Sequence, residues 1–267
     1  MKLIKIGGSC LLKGADQVAH RIAESFDAAC VIIHGYSLAQ RQIMESQGIE
    51  RLPFITASGK NSGFTTHGVL AAAHLGAFLA REQLIKALRD YFPRVQGIMG
   101  YEGCLEGRRN SKIRYKENGV VKVFREDFSG RIEQINWSLV KPFCQRGSAV
   151  VLTPLLADKK GGLLVCDADH AAAEIAVFLG LSHYTILSDT DGYKVDGQVV
   201  GQMPSSRMAQ YRKHASGGML KKIYYIAQAL NKGVHEVHLL NGVAWDKEQS
   251  NGTLFYADSY LTHSQHP

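Results

Sequence analysis

Short apolar segments alternate with longer segments of helical periodicity over most of this chain. The apolar segments have the length of buried strands and predict strands at residues 2–6, 29–34, 95–99, 148–153, 183–187 and 234–240. Helical spacing predicts helices at residues 15–26, 37–45, 66–91, 170–179 and 219–230. Strands that alternate with helices form βαβ units. We therefore expect an α/β fold, a three-layer αβα sandwich whose mainly parallel open sheet carries helices on both faces.

The 267 residues are enough for one large domain or two closely joined lobes. We expect an N-terminal lobe at residues 1–150 and a C-terminal lobe at residues 151–267, with a weakly patterned tail after Thr253. No apolar run approaches the ~20 residues of a membrane helix, and the first residues lack the apolar region of a secretory signal. The five scattered cysteines form no CxxC pair, which favours reduced thiols in a cytoplasmic protein.

Positive charge is concentrated in one short segment. The chain has 31 Lys and Arg against 24 Asp and Glu, a net charge of +7. Between Arg108 and Arg131 there are eight basic and three acidic residues, so +5 of the +7 lies there. Concentrated charge of this kind implies an anionic partner. The segment contains no recognised nucleic-acid module, and we therefore do not expect a nucleic-acid partner.

A β-hairpin is predicted inside the basic segment. Residues 112–115 and 120–124 flank Asn118-Gly119, the preferred pair for a two-residue hairpin turn. Pairing across this turn gives one face with Lys112, Arg114, Lys116, Arg125, Val121 and Val123, and an opposite face with Ile113, Tyr115 and Phe124. Such a hairpin lies on a core and shows its charge outward. One interpretation is an edge that lysines protect against aggregation; Arg108 and Arg109 at its base favour a binding surface.

Glycine-rich turns follow the first two predicted strands. Lys5 precedes Gly7-Gly8-Ser9, where glycines let backbone amides approach phosphate oxygens and a helix N-terminus favours anions. The spacing of a Walker A motif is missing, and an ordinary strand–turn–helix glycine pair is an equal alternative. Gly35 ends the next strand in the same way, at the edge where open α/β sheets bind ligands.

Three later segments add charged groups at predicted strand ends and helix starts. Asp167 and Asp169 precede a helix, so that one can cap it while the other holds a lysine. Ser188-Asp189 follows a strand and is either a ligand loop or a plain turn. Gly218 lies at a helix start that carries Lys222, where a cation is unfavourable unless an anion binds there.

The order KxGGS, HG, DADxAAAEIA, LSDxxG and GGMxxK resembles the amino acid kinase family, in particular its acetylglutamate kinase branch. Residues 106–136 are similar to the basic hairpin and following loop of the kinases of carrier-protein lysine and arginine biosynthesis. Those enzymes phosphorylate the side-chain carboxylate of α-aminoadipate or glutamate, which is attached through its amino group to a small acidic carrier protein. The resemblance therefore implies ATP and Mg²⁺ as cofactors, an acidic carrier protein as partner, and a homodimer formed through the N-terminal lobe.

The resemblance also implies roles for individual residues. Lys5 and Lys222 would stabilise the phosphoryl group, and Asp169 would hold both lysines. The amides of Gly7, Gly8 and Gly35 would bind phosphates. Mg²⁺ would be held by the nucleotide phosphates, and no metal site made of protein ligands alone is expected. Residues expected beside the nucleotide are Ser9, Ser188, Asp189 and Gly218. Residues expected to dock the carrier are Arg108, Arg109, Lys112, Arg114, Lys116 and Arg125.

The chain departs from the family at positions that would contact the acceptor. Tyr36 replaces a glycine after Gly35, Gly63 stands where the family has the arginine that clamps the substrate α-carboxylate, and Val165 stands in place of an asparagine. The expected acceptor-binding residues are Tyr36, Lys60, Gly63, Phe64, Val165 and Asp167. Lys60 or His67 would replace the lost arginine, unless both are solvated loop residues.

Three functions are compatible with these features. The first is a kinase for an amino acid held on an acidic carrier, the second a kinase for a free N-acylated amino acid, and the third a weakly catalytic carrier- or nucleotide-binding protein. The basic hairpin favours the first function, since a small free acid needs no extended cationic surface.

Overall fold

A computed structural model describes residues 1–26, 28–56, 61–244 and 251–258. The helices are α1 (Gly8–Ser25), α2 (Ser37–Ser46), α3 (His67–Arg89), α4 (Ala168–Phe178), α5 (Met208–Tyr211) and α6 (Gly217–Asn231). The first nine strands are β1 (Lys2–Ile6), β2 (Cys30–His34), β3 (Pro53–Thr56), β4 (Asn61–Gly63), β5 (Arg94–Met99), β6 (Leu105–Arg109), β7 (Ile113–Glu117), β8 (Val120–Phe124) and β9 (Gly130–Ile135). The strands that follow are β10 (Ser148–Thr153), β11 (Leu155–Asp158), β12 (Leu163–Val165), β13 (His183–Ser188), β14 (Lys194–Val195), β15 (Gln198–Val199), β16 (Gln202–Pro204), β17 (Glu236–Asn241) and β18 (Thr253–Tyr256).

The main sheet has eight strands in the order β16-β18-β17-β13-β1-β2-β10-β5. The β17–β18 pair is antiparallel and the other neighbours are parallel. The carboxyl ends of β1, β2, β10 and β13 therefore lie at one edge of the sheet. The predicted mainly parallel sheet is confirmed.

Side chains of the central strands alternate between two apolar cores. Ile4 and Ile32 belong to the core that contains α1 and α3, whereas Leu3 and Val31 belong to the core that contains α4 and α6. Strands covered on both faces need apolar residues at successive positions, which explains their continuous apolar runs. The structure thus confirms the three-layer αβα sandwich.

Two segments differ from the predictions. The first helix was predicted from residue 15, but α1 begins at Gly8 and is interrupted by non-helical backbone at Gly14. No strand was predicted in the weakly patterned tail after Thr253, but β18 joins the sheet with Thr253 and Phe255 buried. The end of the tail lies outside the described residues. The start of α1 and strand β18 were not predicted because glycines and a short strand give weak local patterns, whereas pairing and packing fix these segments.

The basic hairpin is formed by β7 and β8, with Asn118 and Gly119 at φ 50° and 78° in its turn. It continues a small sheet of order β4-β3-β7-β8. One face packs through an aromatic cluster in which Phe64 stacks on Phe54 and contacts Tyr115 and Phe124, with ring centroids 4.1–5.2 Å apart. The opposite face exposes Arg114, Lys116, Val121 and Val123. The predicted division into a core face and a charged face is confirmed.

A second small sheet, of order β12-β11-β6-β9, lies at the base of the hairpin. The predicted lobe boundary at residue 150 falls inside β10, and the eight strands of the main sheet continue across it. The division into two lobes stays a prediction. Within the described ranges, no helix combines the length and the hydropathy needed to cross a lipid bilayer.

Candidate active site

Lys5, Asp169 and Lys222 converge at the carboxyl edge of the main sheet. Lys5 lies on the central strand β1, and Asp169 lies in the first turn of α4. The Lys5 Nζ lies 2.7 Å from Asp169 Oδ1, and the Lys222 Nζ lies 3.9 Å from Asp169 Oδ2. Their side chains are 5%, 10% and 14% exposed, in the order Lys5, Asp169 and Lys222. One buried carboxylate thus lies between two ammonium groups from distant parts of the chain.

The cluster carries more positive than negative charge. Burial and the neighbouring Lys5 ammonium lower the pKa of Lys222, and the carboxylates of Asp169, Asp167 and Asp189 oppose this effect. Two cations around one carboxylate are poorly compensated in a buried site. An anion bound beside the cluster would complete the charge balance.

The glycine turns of β1 and β2 are in close contact. A Cβ atom on Gly35 would lie 2.9 Å from the Gly8 backbone nitrogen, and one on Gly8 would lie 3.1 Å from the Gly35 carbonyl oxygen. Only glycine therefore fits this crossing without a backbone shift. The two turns bring the starts of α1 and α2 together at the same edge as Lys5.

Two backbone amides differ from the prediction that they bind phosphates. The Gly7 amide donates to the Leu187 carbonyl and the Gly35 amide donates to the Ile6 carbonyl, each at 2.8 Å. These two amides therefore do not point at a phosphate, because they continue the pairing of parallel strands. The first amides of a helix have no partner within the helix, so Gly8 and Ser9 at the start of α1 remain suitable for an anion.

His34, just before Gly35, is a neutral structural residue. Its Nε2 lies 2.8 Å from the Thr153 hydroxyl at the end of β10. Complete burial lowers the pKa of His34 to about 4. It therefore joins two strand ends without adding charge to the site.

Asp167 is the N-cap of α4. Its Oδ1 accepts a hydrogen bond of 2.9 Å from the Asp169 amide, and its Oδ2 lies 3.8 Å from the Lys221 Nζ. The two acids divide their functions as predicted: Asp167 caps the helix and Asp169 contacts lysines.

Ser188 is the last residue of β13, and Asp189 directly follows it beside the cluster. Ser188 is buried, whereas Asp189 is exposed and lies 3.6 Å from the Lys13 Nζ. Burial opposes the ionisation of Asp189, but the Ser9 hydroxyl, Lys13 and Lys222 together lower its pKa. Gly218 lies in the first turn of α6, and a Cβ there would meet the Lys222 Nζ at 3.9 Å. Ser9, Asp189 and Gly218 thus lie near the Lys222 end of the lysine cluster.

The predicted acceptor residues are buried or half-buried wherever the structure describes them. Tyr36 is buried, and its hydroxyl donates to the Cys166 carbonyl at 3.4 Å, next to the half-buried Val165. Phe64 is only 5% exposed and belongs to the aromatic cluster under the hairpin. Gly63 ends β4. Lys60 lies outside the described residues.

Two residues near Gly63 were missed by the sequence analysis. Asp127 is buried, and its carboxylate accepts hydrogen bonds of 2.8 Å from the amides of Thr65 and Ser129. Arg51 donates from its guanidinium to the Gly63 carbonyl at 3.2 Å. Arg51 comes close to Gly63 because Pro53 pairs with Gly63 between β3 and β4. Local sequence patterns do not reveal this pairing, so that the sequence alone gave no signal for Arg51.

The basic segment contains both structural and exposed cations. The Arg109 Nε donates to the Asp127 carbonyl at 2.7 Å, and its guanidinium lies 3.8 Å from the centre of the Phe128 ring. Arg109 therefore helps to hold the base of the hairpin. The other cations predicted to dock the carrier are exposed, namely Arg108, Lys112, Arg114, Lys116 and Arg125.

A buried cationic cluster beside two helix starts, at the carboxyl edge of a parallel sheet, has the charge and the position that suit a phosphate-bearing ligand. The chain belongs to the amino acid kinase family, whose model matches residues 1–241.

Two curated relatives cover almost the whole chain. A protein of Pyrococcus abyssi with the provisional name LysW-aminoadipate/LysW-glutamate kinase is 29% identical over 244 residues, which are 91% of this chain and 98% of the relative. The LysW-aminoadipate kinase of Deinococcus radiodurans is 29% identical over 247 residues, which are 89% of this chain and 84% of the relative.

Solved structures share the fold. N-acetylglutamate synthase from Neisseria gonorrhoeae superimposes with a TM-score of 0.78 at 22% identity, over 95% of this chain, which spans 60% of the synthase chain. Carbamate kinase from Giardia lamblia superimposes with a TM-score of 0.64 at 14% identity, over 96% of this chain and 98% of the other. These matches agree with the αβα sandwich described above.

Proposed function

We propose that this chain is an ATP-dependent kinase that phosphorylates the side-chain carboxylate of glutamate or 2-aminoadipate attached through its amino group to an acidic carrier protein. The observation that carries the proposal is the buried cluster of Lys5, Asp169 and Lys222, whose excess positive charge suits a transferring phosphoryl group. The names of the Pyrococcus and Deinococcus relatives support the acceptor.

The reaction joins an acceptor carboxylate oxygen to the γ-phosphorus of ATP. The bond between that phosphorus and the bridging β,γ oxygen breaks, so that ADP leaves and an acyl phosphate forms. The acceptor is already ionised at neutral pH and needs no general base. In this proposal, Lys5 and Lys222 stabilise the negative charge on the phosphoryl group, and Asp169 keeps both ammonium groups in position.

Mg²⁺ would neutralise charge on the nucleotide phosphates. Its protein ligands are expected to be few, because Asp169 and Asp189 already contact lysines. Among the residues with described positions, no group of three His, Cys, Asp or Glu side chains is arranged to hold a metal ion. We place the nucleotide in the C-terminal lobe beside Ser188, Asp189 and Gly218, and the acceptor in the N-terminal lobe.

The exposed cations around the hairpin support docking of an acidic carrier. Arg108 on β6 lies directly opposite Arg131 on β9, and both side chains are exposed. Like charges at opposite positions of paired strands destabilise a sheet, and a bound anionic protein would relieve their repulsion. Arg114 and Lys116 extend the cationic surface along the hairpin. A free N-acylated acid would leave this surface without a function.

Charge reversal tests the proposed acceptor. We expect the combined substitution Arg108→Glu, Arg114→Glu and Lys116→Glu to raise the KM for a carrier-linked acceptor by about tenfold or more at low salt, with kcat and the KM for ATP nearly unchanged. The effect should shrink as ionic strength rises. ADP formation is the assay.

A matched control reverses Lys86 and Arg89, exposed cations near the end of α3, away from the carboxyl edge of the sheet. This variant should behave as the wild type. If the hairpin variant lost the same activity with a free N-acylated amino acid as with the carrier-linked one, carrier docking at this surface would be refuted.

We also propose a homodimer formed through the N-terminal lobe, in a cytoplasmic enzyme with five free thiols. Leu75, Phe78 and Leu79 form an exposed apolar stripe on α3, at i, i+3 and i+4 spacing. Burial of this stripe against a second copy would remove it from water. Sedimentation of the Leu79→Asp variant should then show a monomer where the wild type is a dimer, and an unchanged oligomeric state would contradict this interface.

A further inference from the structure

The side chain of Arg51 fills the space next to Gly63. A Cβ atom built on Gly63 would lie 2.9 Å from both the Cγ and the Nε of Arg51, and 3.0 Å from its Cδ. Contacts below 3.0 Å do not occur for real Cβ atoms without movement of one partner. Any larger residue at position 63 would therefore displace Arg51 from this position. Arg51 can occupy this position only because Gly63 has no side chain.

The guanidinium of Arg51 is held at the edge of the proposed acceptor site. It is anchored by its hydrogen bond to the Gly63 carbonyl. Partial desolvation of the guanidinium lowers the pKa of Arg51, although the residue as a whole is exposed, and the nearby Asp127 and Tyr36 oppose this effect. Tyr36 directly follows Gly35, the glycine that contacts the phosphate-binding turn at Gly8. Arg51 thus lies near Tyr36, the residue that follows the turn at the edge where we propose the phosphates to bind.

Arg51 has donors left for a ligand. A guanidinium carries five N–H donors, and the bond to Gly63 is the one hydrogen bond of Arg51 within the described part of the chain. The Asp127 carboxylate is already occupied by the Thr65 amide and by the amide and hydroxyl of Ser129. The residue as a whole remains exposed to solvent, so a ligand can reach it. A planar guanidinium binds a carboxylate through two parallel hydrogen bonds.

We propose that Arg51 binds the α-carboxylate of the acceptor amino acid, and so serves as the specificity-determining cation that this chain lacks at position 63. This inference rests on the proposed function. The cation reaches the ligand from the segment before β3 instead of from the end of β4. Neither Lys60 nor His67 is needed for this contact. The ring of His67 lies 4.0 Å from the centre of the Phe128 ring, at the base of the hairpin.

The test compares two acceptors that differ in one group. One is glutamate or 2-aminoadipate linked through its amino group to an acidic carrier peptide, and the other is the same compound with its α-carboxylate converted to an amide. The wild type should bind and phosphorylate the acid about 10- to 100-fold better than the amide, as expected for a charged hydrogen-bonded pair. Arg51→Ala should lose this preference and Arg51→Lys should keep part of it. Because the preference is a ratio, a general loss of folded protein does not change it.

A relocated arginine provides the second arm of the test. Gly63→Arg combined with Arg51→Ala should restore part of the preference, since removal of Arg51 opens the space at position 63. Gly63→Arg alone should lower thermal stability, because the two side chains overlap. Arg89→Ala, which removes an exposed arginine near the amino edge of the sheet, is the control and should keep the full preference.

Binding is measured by calorimetry with both acceptors, in addition to ADP formation. If the wild type prefers the acid in binding but forms no ADP, the proposed function fails while the assignment of Arg51 stands. If Arg51→Ala keeps the preference of the wild type, or if the wild type shows no preference in binding, the assignment of Arg51 is overturned.

Discussion

The substitution Asp169→Asn removes one negative charge from between two buried ammonium groups and keeps the size of the side chain. At an effective dielectric constant of ~20, attraction over 2.7 Å and 3.9 Å amounts to about 6 and about 4 kcal/mol before desolvation is subtracted. Removal of one partner from a buried ion pair costs about 3–5 kcal/mol in measured cases. We therefore expect the free energy of unfolding to fall by about 3–5 kcal/mol at pH 7, which corresponds to roughly 6–20 °C in Tm for a chain of this size.

The assay is thermal unfolding with and without ATP, combined with turnover. The variant should bind ATP at least as tightly as the wild type, because the phosphates replace the lost counter-charge, and ATP should raise its Tm by at least as much. Turnover should nevertheless fall strongly, because neither lysine is held in position. Glu174→Gln is the matched control. Glu174 is on the same helix as Asp169, and its Oε1 lies 2.7 Å from the Lys232 Nζ. The side chains of this pair are more exposed, at 25% for Glu174 and 47% for Lys232.

The control should lose less than about 1 kcal/mol, as exposed ion pairs do. An equal loss of stability in both variants would show that burial does not strengthen the Asp169 pairs. Asp169→Asn with normal turnover would refute the proposal that this carboxylate positions the lysines.

The remaining expectations concern Lys222 and the glycine turn. Burial and Lys5 lower the pKa of Lys222 from 10.5, so that the free enzyme loses this charge at a lower pH. We therefore expect kcat/KM for ATP to fall with rising pH already below pH 10.5, and kcat to fall only at higher pH, because bound phosphates retain the proton on Lys222. The variant Lys222→Arg should show neither fall. If Lys222→Arg loses kcat/KM and kcat at the same alkaline pH as the wild type, the loss does not come from Lys222. Gly35→Ala would place a Cβ 2.9 Å from the Gly8 nitrogen and should cost about 1–3 kcal/mol in thermal unfolding, with a higher KM for ATP. Gly201→Ala, which has no atom within 4 Å of the added Cβ, should leave both values unchanged.

The position of the site was predictable because its residues lie at the ends of elements with strong periodicity. Lys5 is on a buried strand, Asp169 lies in the first turn of α4, and Lys222 lies in the second turn of α6. Parallel strands place their carboxyl ends at one edge, so that the approximate location of each group follows from the order of the elements alone. The hairpin was predictable for a similar reason, since Asn118-Gly119 sets both its turn and its register.

Other features depend on contacts between distant segments. The Gly7 and Gly35 amides were predicted to face phosphates, but strand pairing engages them, and this depends on which strands become neighbours. Arg51 acquires its position from the pairing of β3 with β4 and from an empty space at Gly63. β18 has only two inward-facing residues in its short span, too few for a clear periodic signal, and its place in the sheet comes from β16 and β17.

The order of strands in the main sheet has a mechanical consequence. β1 is flanked by β2, β10 and β5 on one side and by β13, β17, β18 and β16 on the other. The middle of this order falls between β13 and β1. In a twist of one flank against the other about the middle of the sheet, Lys5 on β1 would move less than groups carried by the outer strands. Lys5 would then serve as the fixed reference point for such a movement.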